Sequence, residues 1–211
     1  MEIYRMVFSP IEVNTYILAG RSGECAIIDC GCYTAEEFEK LSDFIKSKNL
    51  EPVLLLNTHC HLDHLFGNHF VFSSFGIKPR FHRLDEYNRI GSPQHAMRWG
   101  LVMDEPPAAG SYIEHGDIIS SGSISLKALL VPGHTTGSLA FYSEQDACVF
   151  TGDALFAGSI GRSDLPGGDY LTLLDSIRNN LLTLPPDTVV YPGHGQETSV
   201  GREKMVNPYL A

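Results

Sequence analysis

Short apolar blocks separated by turn residues run along most of this chain, and their spacing changes from strand-like to helical in four places. Met1 to Phe8, Asn14 to Ala19 and Cys25 to Asp29 are rich in Ile, Val, Tyr and Phe and predict strands. Gly20-Arg21-Ser22-Gly23 predicts a hairpin turn between the second and third. Phe38, Leu41, Phe44 and Ile45 then recur at helical intervals. Thr34 is placed to cap that helix, Glu37 to complete a capping box, and the helix should run to about Asn49. Pro52 to Leu56 predicts a buried strand that empties into Asn57-Thr58-His59-Cys60-His61-Leu62-Asp63-His64, followed by a helix from Gly67 to Phe75. Residues 83–109 show no regular period, and their Gly, Pro and Met content predicts helix mixed with loop, lying over the site. Strands return at Ile118-Ile119, Ile124 to Val131, Leu139 to Tyr142 and Cys148 to Phe150. A helix from about Tyr170 to Leu184, a strand Thr188 to Tyr191 and a short helix near Val200 to Met205 complete the pattern.

Strand clusters with a helix therefore occur in both halves, near residues 1–50 and 111–184. Two sheets packed face to face with helices outside would bury both, an α/β chain folded as an αββα four-layer sandwich. No Pro/Ser-rich linker separates the halves, so residues 1–211 are expected to form one domain.

Composition narrows the function. At 43% hydrophobic and 19% charged residues, the chain is neither disordered nor collagen-like. A formal net charge of -10 argues against nucleic-acid partners and against anionic membrane surfaces. No apolar run reaches the length of about 18 residues that a membrane span needs. The first residues, MEIYRMVFSP, lack the pattern of a signal peptide. Cys25, Cys30, Cys32, Cys60 and Cys148 form no disulfide framework, so reduced thiols in the cytoplasm are expected.

The candidate chemistry lies at strand ends. His59, His61, Asp63 and His64 fall within six positions after a buried strand. A helix cannot aim four such side chains at one point, whereas a strand-to-helix loop can. Imidazole and carboxylate are the ligands of catalytic zinc, iron or manganese, and the absence of thiolate at this spacing argues against a structural zinc knuckle. Pro132-Gly133-His134, Thr151-Gly152-Asp153 and Pro192-Gly193-His194 each place one more ligand-type residue directly after a predicted strand. A lone Pro-Gly-His is ordinarily just a turn; four such stations in one chain are a site. Five histidines and two aspartates suit two metal ions, with one carboxylate bridging and a position left open for water.

THCHLDH, PGHTTGS, TGD and PGHG, in that order, resemble the metallo-β-lactamase superfamily over nearly the whole chain, Ile3 to about Tyr209. The resemblance implies that His59, His61 and His134 hold a first metal, that Asp63, His64 and His194 hold a second, and that Asp153 bridges them. The aspartate of TGD is unlike typical true β-lactamases, and the HxHxDH form is unlike flavodiiron proteins. Leu155 to Gly168, with Gly201-Arg202-Glu203-Lys204 and Asn207-Pro208-Tyr209, is similar to the short bacterial type of glyoxalase II, hydroxyacylglutathione hydrolase. That implies hydrolysis of S-(2-hydroxyacyl)glutathione, such as S-lactoylglutathione, or a related small-molecule thioester, with Asp63 orienting the attacking water. It implies two divalent cations, zinc first and iron or manganese as alternatives, and gives Arg162 as a substrate-binding residue. Iron-dependent persulfide dioxygenation is the competing activity, and a non-catalytic scaffold of the same fold the competing class.

Asp29, at a predicted strand end, reads equally as a residue orienting a metal-bound imidazole and as a turn residue. Cys30 and Cys32 read as unremarkable thiols, and Cys60 should point away from its ligand neighbours. His69, His82, His95 and His115 are expected on the surface or in loops.

Overall fold

A computed structural model describes residues 1–210 and is built on two six-stranded sheets. The first contains β1 (Glu2–Phe8), β2 (Val13–Ala19), β3 (Glu24–Ile28), β4 (Glu51–Leu56), β5 (Pro79–Phe81) and β6 (Ser111–Tyr112) in sequential order. Its first three strands pair antiparallel and the rest parallel. The second begins with β7 (Ile118–Ser121), β8 (Ile124–Leu130), β9 (Leu139–Ser143) and β10 (Cys148–Gly152), all antiparallel neighbours. After a small hairpin, β11 (Leu155–Phe156) and β12 (Ser159–Ile160), the strands β13 (Val189–Pro192) and β14 (Thr198–Ser199) extend the same sheet beyond β10. The helices are α1 (Ala35–Ser47), α2 (Leu62–Leu65), α3 (Asn68–Phe75), α4 (Glu86–Arg98), α5 (Tyr170–Ser176) and α6 (Val200–Val206).

The period of two along the strands explains the layering. Tyr16, Leu18, Ala26, Ile28 and Leu56 face Leu126, Ala128, Phe141, Cys148 and Phe150 in a core between the sheets. Their sequence neighbours Ile17, Cys25, Ile27 and Leu55 turn the other way, against Leu41, Ile45 and Val71 of α1 and α3. On the opposite flank Leu129, Ala140, Val149 and Val190 pack against Leu173, Leu174 and Ile177. Both sheets are thus buried on two sides, which gives the four-layer αββα arrangement that the strand clusters predict. Among the described residues no helix is long and apolar enough to cross a membrane.

The Thr34–Glu37 capping box forms as its spacing predicts, and Glu37 also accepts from the Ser9 and Tyr33 amides. The helix expected from Gly67 to Phe75 forms as α3, Asn68–Phe75, with Gly67 at its N-cap, and the separate single turn α2 precedes it. One expectation needs correction. The helix expected to Leu184 is α-helical only to Ser176 and continues as a π turn, Ile177–Leu181. His82, expected on the surface or in a loop, lies in the loop after β5 and is buried there, with Nδ1 accepting from the Leu84 amide and Nε2 3.1 Å from Glu114.

Within the unreadable stretch, α4 forms despite Gly91 and Pro93. Pro93 has no N–H for the Arg89 carbonyl, four residues earlier, and the Ser92 hydroxyl donates to that carbonyl instead, at 2.8 Å. The buried Arg89 guanidinium donates to Glu86 and to the Pro106 carbonyl, at 2.6 Å, pinning the loop that follows. Losing these charge-assisted bonds should cost about 2 kcal/mol. Arg89→Ala is expected to lower Tm by roughly 4–8 °C for a chain of this size. It should also open the 99–110 loop to limited proteolysis; an unchanged Tm and digestion pattern would show that the loop is held by other contacts.

Candidate metal centre

Every ligand-type residue singled out by spacing follows the carboxyl end of a strand. Asp29 follows β3, His59 to His64 follow β4, His134 follows β8, Asp153 follows β10 and His194 follows β13. The first two segments belong to one sheet and the rest to the other, so the group exists only because the sheets, packed face to face, bring their strand ends together along one edge. The Leu139 amide donates to the Thr58 carbonyl at 2.7 Å, and the Asn14 amide to the Gly193 carbonyl at 2.8 Å. These two bonds stitch the sheets together beside the ligands. Glycine permits the closest approach: a Cβ on Gly193 would lie 2.2 Å from Asp153 Oδ1 and 2.7 Å from His64 Cε1.

Three overlapping clusters result, each with potential ligand atoms within 4.8 Å of one another. His59, His61 and His134 form one; Asp63, His64 and His194 form another; His59, His64 and Asp153 lie between them. Asp153 Oδ1 is 3.4 Å from His64 Nε2, and its Oδ2 is 3.7 Å from His134 Nε2 and 3.6 Å from His194 Nε2. Asp63 Oδ2 is 3.2 Å from His194 Nε2 and 3.6 Å from His64 Nε2. Asp153 therefore touches histidines of both outer clusters.

The hydrogen bonds around the rings show that this arrangement suits cations. His134 Nδ1 meets the Arg162 carbonyl at 2.7 Å, and a carbonyl only accepts, so a neutral His134 ring carries its proton on Nδ1. Thr58 Oγ1 donates to Asp29 Oδ2 at 2.6 Å, so in its 3.1 Å contact with His59 Nδ1 the ring is the donor. Both Nε2 atoms are left as bare lone pairs, and they face each other at 3.2 Å. Lone pairs held that close repel, and a shared cation turns the repulsion into ligation. His194 Nδ1 is anchored in the same way on the Glu12 carbonyl, at 3.1 Å. His64 Nδ1 lies 2.9 Å from Asp29 Oδ2 as an ion-pair contact, and both His64 ring nitrogens and Asp153 Oδ1 are buried without a hydrogen-bond partner. Orphaned buried polar atoms of this kind are rare unless an ion satisfies them.

The electrostatics agree. Burial, with the neighbouring imidazoles, holds His59 well below the usual histidine range and brings His61 down to about 3. Burial opposes ionisation of Asp63 and Asp153, but the histidines around them, His64 foremost, outweigh it and keep both carboxyls low. Neutral imidazole and ionised carboxylate are the ligating forms. His64 and His194 are the exceptions: burial lowers both, but Asp29, Asp153 and Asp63 outweigh it at His64, and the hydrogen bond to Asp63 with the charge of Asp153 outweighs it at His194, so both are raised in the absence of a competing cation.

Asp29 sits with φ 52°, a left-handed backbone that costs energy for a non-glycine residue, and its carboxylate accepts from the Thr58 amide at 2.8 Å. Arg162 is placed differently from Asp29. Its guanidinium is exposed and forked onto Asp164, with two contacts of 2.8 Å, while its carbonyl carries His134. Cys60 is buried and packs with Leu65 and Phe81, away from the ligands. Cys30 and Cys32 are buried too, and the hydrogen bond with Cys30 together with burial pushes the Cys32 thiol far up, so Cys32 is not primed to react.

Sequence reasoning passes over Asp85. It is fully buried, and its carboxylate accepts from the Cys60 amide at 2.7 Å, the Gly137 amide at 2.9 Å and the Thr135 hydroxyl at 3.0 Å. It thereby joins the His59–His61 loop to the loop that carries His134. No glycine, repeat or ligand spacing flags it, because its partners are 25 to 52 residues away.

Residues 9–194 match the model of the metallo-beta-lactamase superfamily. The chain is 38% identical over its whole length to the probable metallo-hydrolase YqgX of Bacillus subtilis, covering 98% of that protein. It is 34% identical over its whole length to the hydroxyacylglutathione hydrolase GloC of Haemophilus influenzae, again covering 98%. Among solved structures it resembles TTHA1623 in a di-iron-bound form, at TM-score 0.90 and 36% identity, over 98% of this chain and 100% of that one. It also resembles BLEG-1, a B3 metallo-beta-lactamase, at TM-score 0.90 and 33% identity, over 100% of both chains.

Two outcomes are expected. Supplied with zinc or iron, the protein should retain about two metal equivalents per chain by elemental analysis. Asp153→Ala should lower occupancy of both positions; a firm plateau at one in the unaltered protein would exclude a paired site. Asp85→Ala leaves two buried amides without an acceptor and should lose roughly 2–4 kcal/mol in chemical denaturation. It should also weaken metal retention, and Asp85→Asn should recover part of both losses.

Proposed function

The chain belongs to the metallo-beta-lactamase superfamily, a metal-dependent hydrolase by that membership, and on this footing we propose that it hydrolyses the thioester of S-(2-hydroxyacyl)glutathione or a close relative. The observation that carries the reading is the complete set of His59, His61, Asp63, His64, His134, Asp153 and His194 around one small space. GloC, named a hydroxyacylglutathione hydrolase, supports it by aligning over 98% of its own length. In our reading residues 1–211 act as one domain, and five buried free thiols suit a reducing compartment such as the cytoplasm.

Two divalent cations held by these residues would supply Lewis acidity toward a carbonyl oxygen and lower the pKa of water. Zinc is the first assignment, and the di-iron form of TTHA1623 makes iron the first alternative. The chain's own groups do the positioning. The Arg162 and Glu12 carbonyls and Asp29 hold His134, His194 and His64 with Nε2 inward. Asp63 presents Oδ2 between His194 and His64, and orients the attacking water while accepting its proton. No residue is assigned as a strong general acid, since a thiolate leaves without one.

Three assays on metal-loaded protein decide the reaction class. S-lactoylglutathione should be cleaved, and a chromogenic cephalosporin essentially spared, although the fold is shared with BLEG-1. Oxygen uptake with glutathione persulfide should be absent. Cephalosporin turnover exceeding thioester turnover, or persulfide-driven oxygen uptake without thioester cleavage, would overturn the proposal.

A further inference from the structure

Beside the metal centre lies a cavity of about 250 Å³ that the chemistry above does not use. His61 forms one side and Leu165 another, and the remaining wall is α4, through Asn88, Gly91, His95 and Arg98 among others. Those four positions are spaced by three, four and three residues, which places them on one helical face. A rise of about 1.5 Å per residue makes this face about 15 Å long from Asn88 to Arg98. An extended tripeptide spans at most about 10 Å, so a carrier of that size fits along it.

We propose that this face of α4 is the wall that receives the thiol carrier, and that Arg98 is the cation that takes one of its carboxylates. The inference rests on the thioester reading above and names the part of the protein that selects the carrier.

Two independent observations support it. The first is the state of the two arginines near the site. Arg162 has its planar fork occupied by Asp164, whereas Arg98 is exposed and has no ion pair among the described residues. On a chain of net charge -10, an anionic substrate needs a local cation, and an unengaged guanidinium at the cavity wall supplies it. The second is Gly91. Glycine destabilises the interior of a helix, and neither of its usual justifications applies here. Its φ is not positive, and a Cβ added there would meet nothing within 4 Å. The missing side chain is not needed for packing; it leaves the cavity wide.

The test uses the metal-loaded full chain with two lactoyl thioesters, one of glutathione and one of N-acetylcysteamine, which has no carboxylate. Arg98→Ala should raise KM for the glutathione thioester and reduce the preference for it over the neutral thioester roughly tenfold, with kcat for it largely kept. Gly91→Phe, which adds bulk into open space, should raise the same KM without changing metal content. Calorimetric binding of S-methylglutathione, which needs no turnover, should weaken in both variants. Equal losses on both thioesters, or unchanged affinity for S-methylglutathione in both variants, would overturn the assignment of α4. If the unaltered protein cleaves neither thioester but binds S-methylglutathione through Arg98, the reaction reading fails while the α4 site stands.

Discussion

The facing lone pairs of His59 and His134, 3.2 Å apart, are the constraint on which the rest of the site depends. Left to themselves, the imidazoles and carboxylates around them would turn outward, take up water and separate. Each is prevented by a contact on its far side: a main-chain carbonyl behind His134 and His194, a hydroxyl behind His59, and a carboxylate behind His64. The contacts behind His134 and His59 also fix their tautomers, so the inward nitrogens of those two rings are ready to ligate. The strain is answered by charge neutralisation when cations are held, and by the stiffness of the scaffold when they are not.

That stiffness has a definite origin. Each sheet is buried on both faces, so neither can tilt without losing apolar contacts in two layers. The two sheets meet at the ligand-bearing edge through Leu139–Thr58 and Asn14–Gly193 main-chain bonds. Asp85 adds a third tie, between the loops carrying His61 and His134, at the cost of a buried carboxyl that burial pushes above its ordinary pKa. A charged group placed there earns its position by satisfying two buried amides at once.

The division of labour around the centre follows from the same geometry. The sheet edges supply ligands, and the walls of the approach come from segments inserted between strands. Residues 83–110, between β5 and β6, supply α4 and a loop fastened by Arg89, while the segment after β12 supplies Leu165. Such insertions can change without disturbing the strand ends that carry the candidate ligands.

The clustering of the candidate ligands was readable from the sequence because each of them follows an apolar block within a few residues, in a turn marked by Gly or by dense His and Asp. Local spacing carries that information, as it does for the strand blocks and the Thr34–Glu37 cap. It does not carry pairings between distant segments. Asp85 looks like any acidic residue before a helix, because the groups it joins lie 25 and 52 residues away. The burial of His82 was hidden for the same reason, since its partner Glu114 lies in a different segment. Helix α4 was obscured because Gly91 and Pro93 oppose it locally, and the contacts that hold it, Ser92 to the freed carbonyl and Arg89 to Pro106, form only once the chain is packed. Sequence by itself determined which imidazoles and carboxylates stand at the strand ends; tertiary structure decided how they are aimed and what surrounds them, because aim depends on contacts made across tens of residues of intervening chain.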